Sequence, residues 1–237
     1  FVWKSKQILR KLKINFFLME KFSIVIPVYN EGKNLEILIP KIYKELRKEK
    51  FELIIVDDNS TDNTSEILKK FKKKDFYHII RKKGRDLSKS CVLGFEKSRC
   101  KNIIVMDGDL QHKPSDIKKF LRIFDKDNPD VIVGSRNLFD DKKHNLNILR
   151  LLASRILILT VNLLLGNKTS DPMSGFFMFK KNVFTKSKKK LINKGYKILL
   201  DLLYNKNHKI KVVDVSINFD SRKKGKSKMS IKILFYL

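Results

Sequence analysis

The chain has 237 residues, with 53 Lys and Arg against 25 Asp and Glu, a formal net charge of +28 at pH 7. That length accommodates one well-cored domain with at most a small appendage, and the two cysteines, Cys91 and Cys100, exclude a disulfide-stapled scaffold and are spaced for no metal. Such charge would suit phosphate contacts with a nucleic acid or attraction to an anionic membrane, but the excess is overwhelmingly Lys, alongside much Ile, Asn and Phe, and reads as compositional bias with a membrane role for part of it.

Residues 1–21 read as a basic, partly apolar extension. Lysines break the first twenty residues, so they do not resemble a secretory signal. The start at Phe1 and the abrupt apolar end at 231–237 lead to the expectation of a fragment, with a native start at Met19 and a missing C-terminus. Strands and helices then alternate. Residues 23–28 read as a strand and 35–47 as an amphipathic helix with apolar positions 35, 38, 39, 42 and 46. A strand follows at 53–56, and Asn63-Thr64-Ser65-Glu66 has the pattern of a capping box opening a helix to Phe71. Further strands are expected at 77–80, 102–106 and 131–134, with helices at 87–98 and 115–124. The pattern predicts an α/β fold with a mostly parallel, doubly wound sheet. The second half is less regular. Residues 146–165 form an apolar, helical stretch too interrupted for a bilayer span. An interfacial helix and an ordinary core helix fit it about equally. Strands at 176–179 and 210–217, a helix near 196–204 and an apolar helix opening at 230 complete the reading. The Lys and Arg clusters at 69–74, 81–85 and 186–190 read as solvated faces or turns.

In a doubly wound sheet, ligands sit at the C-terminal ends of strands. Polar clusters occupy those ends here: Tyr29-Asn30-Glu31, Asp57-Asp58-Asn59, and Asp107-Gly108-Asp109-Leu110-Gln111. The last is the most telling. Two carboxylates at i and i+2 project to one side of an extended segment, and two converging carboxylates make a site for a hard cation that can hold a diphosphate. Alone, an Asp-x-Asp is equally a surface turn.

These motifs carry a resemblance. Ile26-Pro27-Val28-Tyr29-Asn30-Glu31, Val56-Asp57-Asp58-Asn59-Ser60-Thr61-Asp62 and Asp107-Gly108-Asp109-Leu110-Gln111-His112 resemble the family 2 GT-A glycosyltransferases. Gly134-Ser135-Arg136, Asp171-Pro172-Met173-Ser174-Gly175-Phe176 and Arg222-Lys223-Lys224-Gly225-Lys226-Ser227-Lys228 narrow the likeness to the polyprenyl-phosphate sugar transferases, such as the dolichol-phosphate mannosyltransferases. The resemblance implies a GT-A domain over 22–228, amphipathic interface helices and the start of an apolar helix at 229–237. It also implies site roles. Asp107, Asp109 and Gln111 match a Mg2+ or Mn2+ site. Pro27, Tyr29, Glu31, Val56, Asp58, Asp107 and Gly108 match the nucleotide pocket. Asp109, Arg222 and Asp171 match residues at the reaction centre, with Asp171 and Ser174 orienting the sugar. Arg136, Arg150, Ser154 and Lys228 match the acceptor-phosphate region. For Arg150 and Ser154, a helix-surface Arg and a back-bonded Ser fit nearly as well.

The implied reaction is inverting transfer of a hexose, mannose or glucose, from GDP-mannose or UDP-glucose to a polyprenyl (dolichyl or undecaprenyl) phosphate at the cytoplasmic membrane face. A phosphate monoester with a second pKa near 6 is mostly dianionic at neutral pH, so such an acceptor needs cationic positioning rather than a general base. A sugar or protein hydroxyl acceptor is the alternative, and a basic nucleic-acid-binding protein a remote one, with no nucleic acid the expectation. Gly84-Arg85-Asp86-Leu87-Ser88-Lys89-Ser90 departs from the Gly-Leu-Gly-x-Ala usual in the dolichol type and leaves sugar and base open.

Overall fold

The computed structural model describes residues 22–136, 155–156, 158–163, 166–192, 194–195, 198–204 and 209–220. The expected elements at 146–154, and those from 229 onward, lie outside these residues, as do the extension at 1–21, Arg150, Ser154, Arg222 and Lys228.

β1 (Phe22–Val28), β2 (Phe51–Asp57) and β4 (Asn102–Val105) are buried along their whole length, as continuous apolar runs are in a sheet covered on both faces. β3 (Phe76–Ile80) pairs with β2 as an edge. β5 (Val131–Ser135), β6 (Phe177–Lys180) and β7 (Val212–Ser216) complete a seven-stranded sheet in the order β3-β2-β1-β4-β6-β5-β7. All pairs are parallel except those of β6, which runs antiparallel to both β4 and β5, with Met178 opposite Ile104 and Ile132.

The two-residue period of the strands divides the core. Ile24, Ile26, Ile104 and Met178 face one layer, where α1 (Gly32–Glu45) packs Leu35, Leu38, Ile39 and Ile42, and α4 (Ile117–Asp127) packs Phe120 and Phe124. Val25, Val105, Phe177 and Phe179 face the other, against Val92 and Phe95 of α3 (Leu87–Lys97), Phe184 of α5 (Lys181–Ser187) and Leu199 and Leu202 of α6 (Ile198–Leu203). The Phe95 ring meets Phe179 and Phe184 edge-on at 4.9 and 5.3 Å. Cys91 and Cys100 are buried, and burial pushes the Cys91 thiol well up, so both serve as small core residues.

Two local expectations change. The helix expected at 63–71 is α2 (Thr64–Lys69), and Asn63 makes no side-chain cap. Asp62 does that work instead, its Oδ1 accepting from the Thr64 backbone N–H at 3.0 Å. The helix expected at 115–124 opens as a 3₁₀ turn at Pro114–Asp116 and runs on to Asp127, where Asn128 ends it in the left-handed conformation.

Residues 155–156 and 158–163 are helical, with Ile158 and Val161 buried and Ile156, Leu159 and Leu163 exposed. Large apolar residues at i, i+3 and i+7 make a stripe on one helix face. No described helix is long and apolar enough to cross a membrane.

Candidate active site

Three turns, after β1, β2 and β4, come together at one end of the sheet. Each holds a non-glycine residue in the left-handed region: Asn30 at φ 54°, Asn59 at φ 61° and Leu110 at φ 66°. Asparagine tolerates this conformation. A leucine pays roughly 1–3 kcal/mol for it, and such strain gathers at functional sites. The first two turns are tied together. The Asn30 backbone N–H donates to Ser60 Oγ at 2.8 Å, Asn30 Oδ1 accepts from the Thr61 backbone at 2.8 Å, and the Glu31 N–H donates to Thr64 Oγ1 at 3.1 Å.

Asp57 at the end of β2 is buried and fully engaged. Burial alone would raise its pKa, but His78, Ser60 and Ser65 hold the carboxyl below its ordinary value. Its neighbour Asp58 is also buried, accepting from the Asp86 backbone N–H at 2.7 Å and ion-paired to Arg81. Arg81 further bonds Ser90 Oγ at 3.1 Å and the Gly84 carbonyl at 2.5 Å. It therefore ties the departing loop to Asp58 and to the start of α3, and in the 81–85 cluster, read as a solvated face or turn, Arg81 stands in the turn with its side chain only 10% exposed. Arg85 stands over the Tyr29 ring, 4.7 Å from its centroid, a cation–π distance. Pro27 and Val56 are buried in their strands, and Tyr29 and Glu31 border the same turn.

Asp107 and Asp109 follow β4 in the middle of the sheet. Gly108 between them is packed so closely that a Cβ would lie 2.9 Å from Val28 Cγ1. Asp109 is buried, its Oδ1 accepting from the Gln111 N–H at 3.1 Å. Gln111 is buried too. Its Nε2 donates to the Asp220 carbonyl at 3.1 Å, and the Asp220 N–H donates back to the Gln111 carbonyl at 3.0 Å. With the amide nitrogen so engaged, Oε1 is the end that could meet a cation. The Asp107 side chain is 37% exposed, with Oδ2 3.7 Å from His112 Nε2. Gly175 lies against it: a Cβ there would stand 2.1 Å from Asp107 Oδ2. The donor set is all oxygen, which suits Mg2+ or Mn2+ rather than zinc. Among the described residues, no group of three or more His, Cys, Asp and Glu comes together as a metal site, at this end of the sheet or any other.

Asp171 and Arg136, 35 residues apart, form a bidentate pair: Nε to Oδ2 at 2.6 Å and Nη2 to Oδ1 at 2.7 Å. Asp171 is almost wholly buried and also accepts from the Arg136 backbone at 3.3 Å. Burial alone would lower the Arg136 pKa, but Asp171, with Asp107 further off, raises it. Ser174, expected to orient a sugar, is buried and donates to the Gly134 carbonyl at 2.7 Å, so it joins β5 to the 171–176 segment. Asp214 of β7 anchors the two residues before that segment, accepting from Thr169 Oγ1 at 2.5 Å and from the Ser170 N–H and hydroxyl at 2.7 Å.

Arg81, His112 and Gly175 escaped the sequence reading as site residues. His112 and Gly175 stood inside quoted motifs, and a glycine set between Ser174 and the bulky Phe176 was the available signal for close approach.

The strand order, with one antiparallel strand set between parallel ones and an acidic pair after the fourth strand, defines the GT-A class of glycosyltransferase folds. The chain belongs to glycosyl transferase family 2, whose family model matches residues 23–187. It is 35% identical over 218 residues to the dolichol-phosphate mannosyltransferase of Pyrococcus furiosus, covering 91% of this chain and 61% of that protein. It is 31% identical over 225 residues to the dolichol-phosphate mannosyltransferase of Mycosarcoma maydis, covering 90% and 75%. The chain thus spans less than two thirds of the length of the Pyrococcus relative. Among solved structures, it matches glucosyl-3-phosphoglycerate synthase from Mycobacterium tuberculosis in complex with Mn2+, UDP and glucosyl-3-phosphoglycerate. That match has a TM-score of 0.68 at 16% identity, over 88% of this chain and 74% of that one, and shows likeness of fold.

Proposed function

We propose that this protein transfers a hexose, mannose first among the choices, from a nucleoside-diphosphate sugar to a polyprenyl phosphate, with inversion. The observation that carries the proposal is the half-exposed Asp107 beside buried Asp109 and Gln111, at the C-terminal end of a central strand in a family 2 chain. Two relatives bearing the name dolichol-phosphate mannosyltransferase support the acceptor class.

In this reading Asp107, Asp109 and Gln111 hold a Mg2+ or Mn2+ ion, which when bound neutralises charge on the departing diphosphate. Pro27, Tyr29, Glu31, Val56, Asp58 and Gly108 frame the nucleoside. Asp58 serves there as a carboxylate already fixed by Arg81. Arg136 presents its remaining N–H groups to the acceptor phosphate, since Asp171 takes Nε and Nη2. Asp171 then acts as a positioning residue rather than a base. Arg222, two residues beyond the Asp220 backbone that is bonded to Gln111, supplies cationic charge at the reaction centre, with Arg150, Ser154 and Lys228 completing the acceptor side. The Ile156, Leu159 and Leu163 stripe and part of the basic charge hold the protein on an anionic membrane face.

A radiolabel transfer assay tests this, with GDP-mannose and UDP-glucose in parallel, Mg2+ or Mn2+, and polyprenyl phosphate against a hydroxyl acceptor. Label entering the organic phase with polyprenyl phosphate supports the reading. Transfer only to the hydroxyl acceptor overturns it. Flotation with anionic vesicles tests the membrane claim: Leu159→Ser with Leu163→Ser reduces binding, and binding unchanged from wild type contradicts it.

A further inference from the structure

His112 is not explained by packing alone. It is 2% exposed, and its ring sits 5.0 Å from that of Phe176 and 5.1 Å from that of Phe219. A phenylalanine would serve such a niche. Instead a polar ring is buried with Nδ1 lacking any hydrogen-bond partner and Nε2 3.7 Å from Asp107 Oδ2. An unpartnered polar atom in the interior costs stability and calls for a reason.

The orientation supplies one. In a neutral imidazole one nitrogen carries hydrogen and the other a lone pair. With Nε2 facing a carboxylate, the hydrogen belongs on Nε2 and the lone pair on Nδ1, an assignment made from the contacts. At 3.7 Å this is an alignment and not yet a hydrogen bond. Such contacts at reactive centres commonly tighten on loading. Among the described residues, groups near the Asp107 carboxylate include the Gly175 backbone and, further off, the charge of Arg136. Neither fixes the rotation of the carboxylate: Gly175 limits where it can go, and Arg136 is already held by Asp171.

We propose that His112 is the positioning residue for Asp107, its Nε2–H anchoring Oδ2 so that the carboxylate keeps one orientation toward a divalent cation. This rests on reading Asp107 as a cation ligand. Groups that hold a metal ligand from behind typically change metal affinity about 10- to 100-fold when removed.

The test is Mn2+ titration of the full chain, followed by the electron paramagnetic resonance signal of free Mn2+, with and without GDP. His112→Phe keeps an aromatic ring between Phe176 and Phe219 but removes the N–H. We expect it to melt near wild type and to bind Mn2+ about tenfold or more weakly. His112→Gln, which keeps an N–H donor, recovers part of the loss, a rescue that a purely packing role would not give. Equal Mn2+ affinity in His112→Phe and wild type overturns the proposal. Should the Phe variant not fold, His112→Leu takes its place, and equal affinities in the Leu and Gln variants overturn it. Asp107→Ala separates the two layers. Wild-type affinity in that variant overturns the ligand reading itself, whereas lost affinity in Asp107→Ala with none lost in His112→Phe overturns only the role of His112.

Discussion

Glu52 lies near the start of β2 and Asp107 just past the end of β4, two carboxylates at opposite ends of one sheet. Glu52 is buried and answered on every side. It accepts from Ser23 Oγ at 2.7 Å, from the Arg99 backbone at 2.7 Å and from Arg99 Nε at 3.0 Å. Burial pushes its pKa up, and these bonds outweigh that and hold it below the ordinary value. Asp107 is over a third exposed, meets His112 only at 3.7 Å, and is pressed by a glycine that leaves its oxygens room. A carboxylate whose lone pairs are all matched within the chain holds strands together. One left open at the C-terminal end of a parallel strand has capacity for something from outside.

The largest test of that contrast is Asp107→Ala. Removing the carboxylate at the open end should cut hexose transfer by at least about a hundredfold while the melting temperature moves little. A steady-state transfer assay beside a thermal melt reads both. Next comes Gly175→Ala. Its Cβ would stand 2.1 Å from Asp107 Oδ2, so the carboxylate must move. Transfer should fall by roughly tenfold or more, with Mn2+ affinity falling in parallel. Unchanged affinity would show that Asp107 does not need its present place. At the closed end, Glu52→Ala should reverse the pattern. It leaves Ser23 and the Arg99 backbone without their acceptor and costs about 2 kcal/mol of stability, with transfer per folded molecule unaltered, as chemical denaturation and assay together would show.

The smallest effect is that of pH. Glu52 and Asp57 both have lowered folded-state pKa values. Each therefore adds stability that is fully present above its unfolded value, ordinarily 4.5 and 3.8, and is lost as pH falls through the lower folded value. Melting temperature should be flat from neutral down to about pH 5 and decline below it. Glu52→Gln should soften that decline, and an identical decline in the variant would remove Glu52 from the account.

Much of the strand framework could be read from the sequence, because Ile103-Ile104-Val105-Met106 and its counterparts in β1 and β2 are apolar runs bounded by polar turns. The reversal of β6 could not, since a four-residue strand with three residues buried between its neighbours carries no mark of direction. Asn63 looked like a cap because its spacing to Glu66 was right. Asp62 took the place because its carboxylate reaches the Thr64 N–H first. The acidic cluster after β4 could be read because Asp107, Asp109 and Gln111 lie at alternate positions of one five-residue run. The Arg136–Asp171 pair, the Arg81–Asp58 pair and the press of Gly175 on Asp107 join residues 23 to 68 positions apart, and no local pattern announces such partners.

The most direct test of the open-end claim is calorimetric titration of GDP and UDP into the full chain, with Mn2+ and with chelator, for wild type and Asp109→Ala. At least one of the two nucleotides should bind wild type with Mn2+, and both chelator and Asp109→Ala should weaken that binding strongly. Nucleotide binding of equal strength in chelator, or in Asp109→Ala, would contradict the claim.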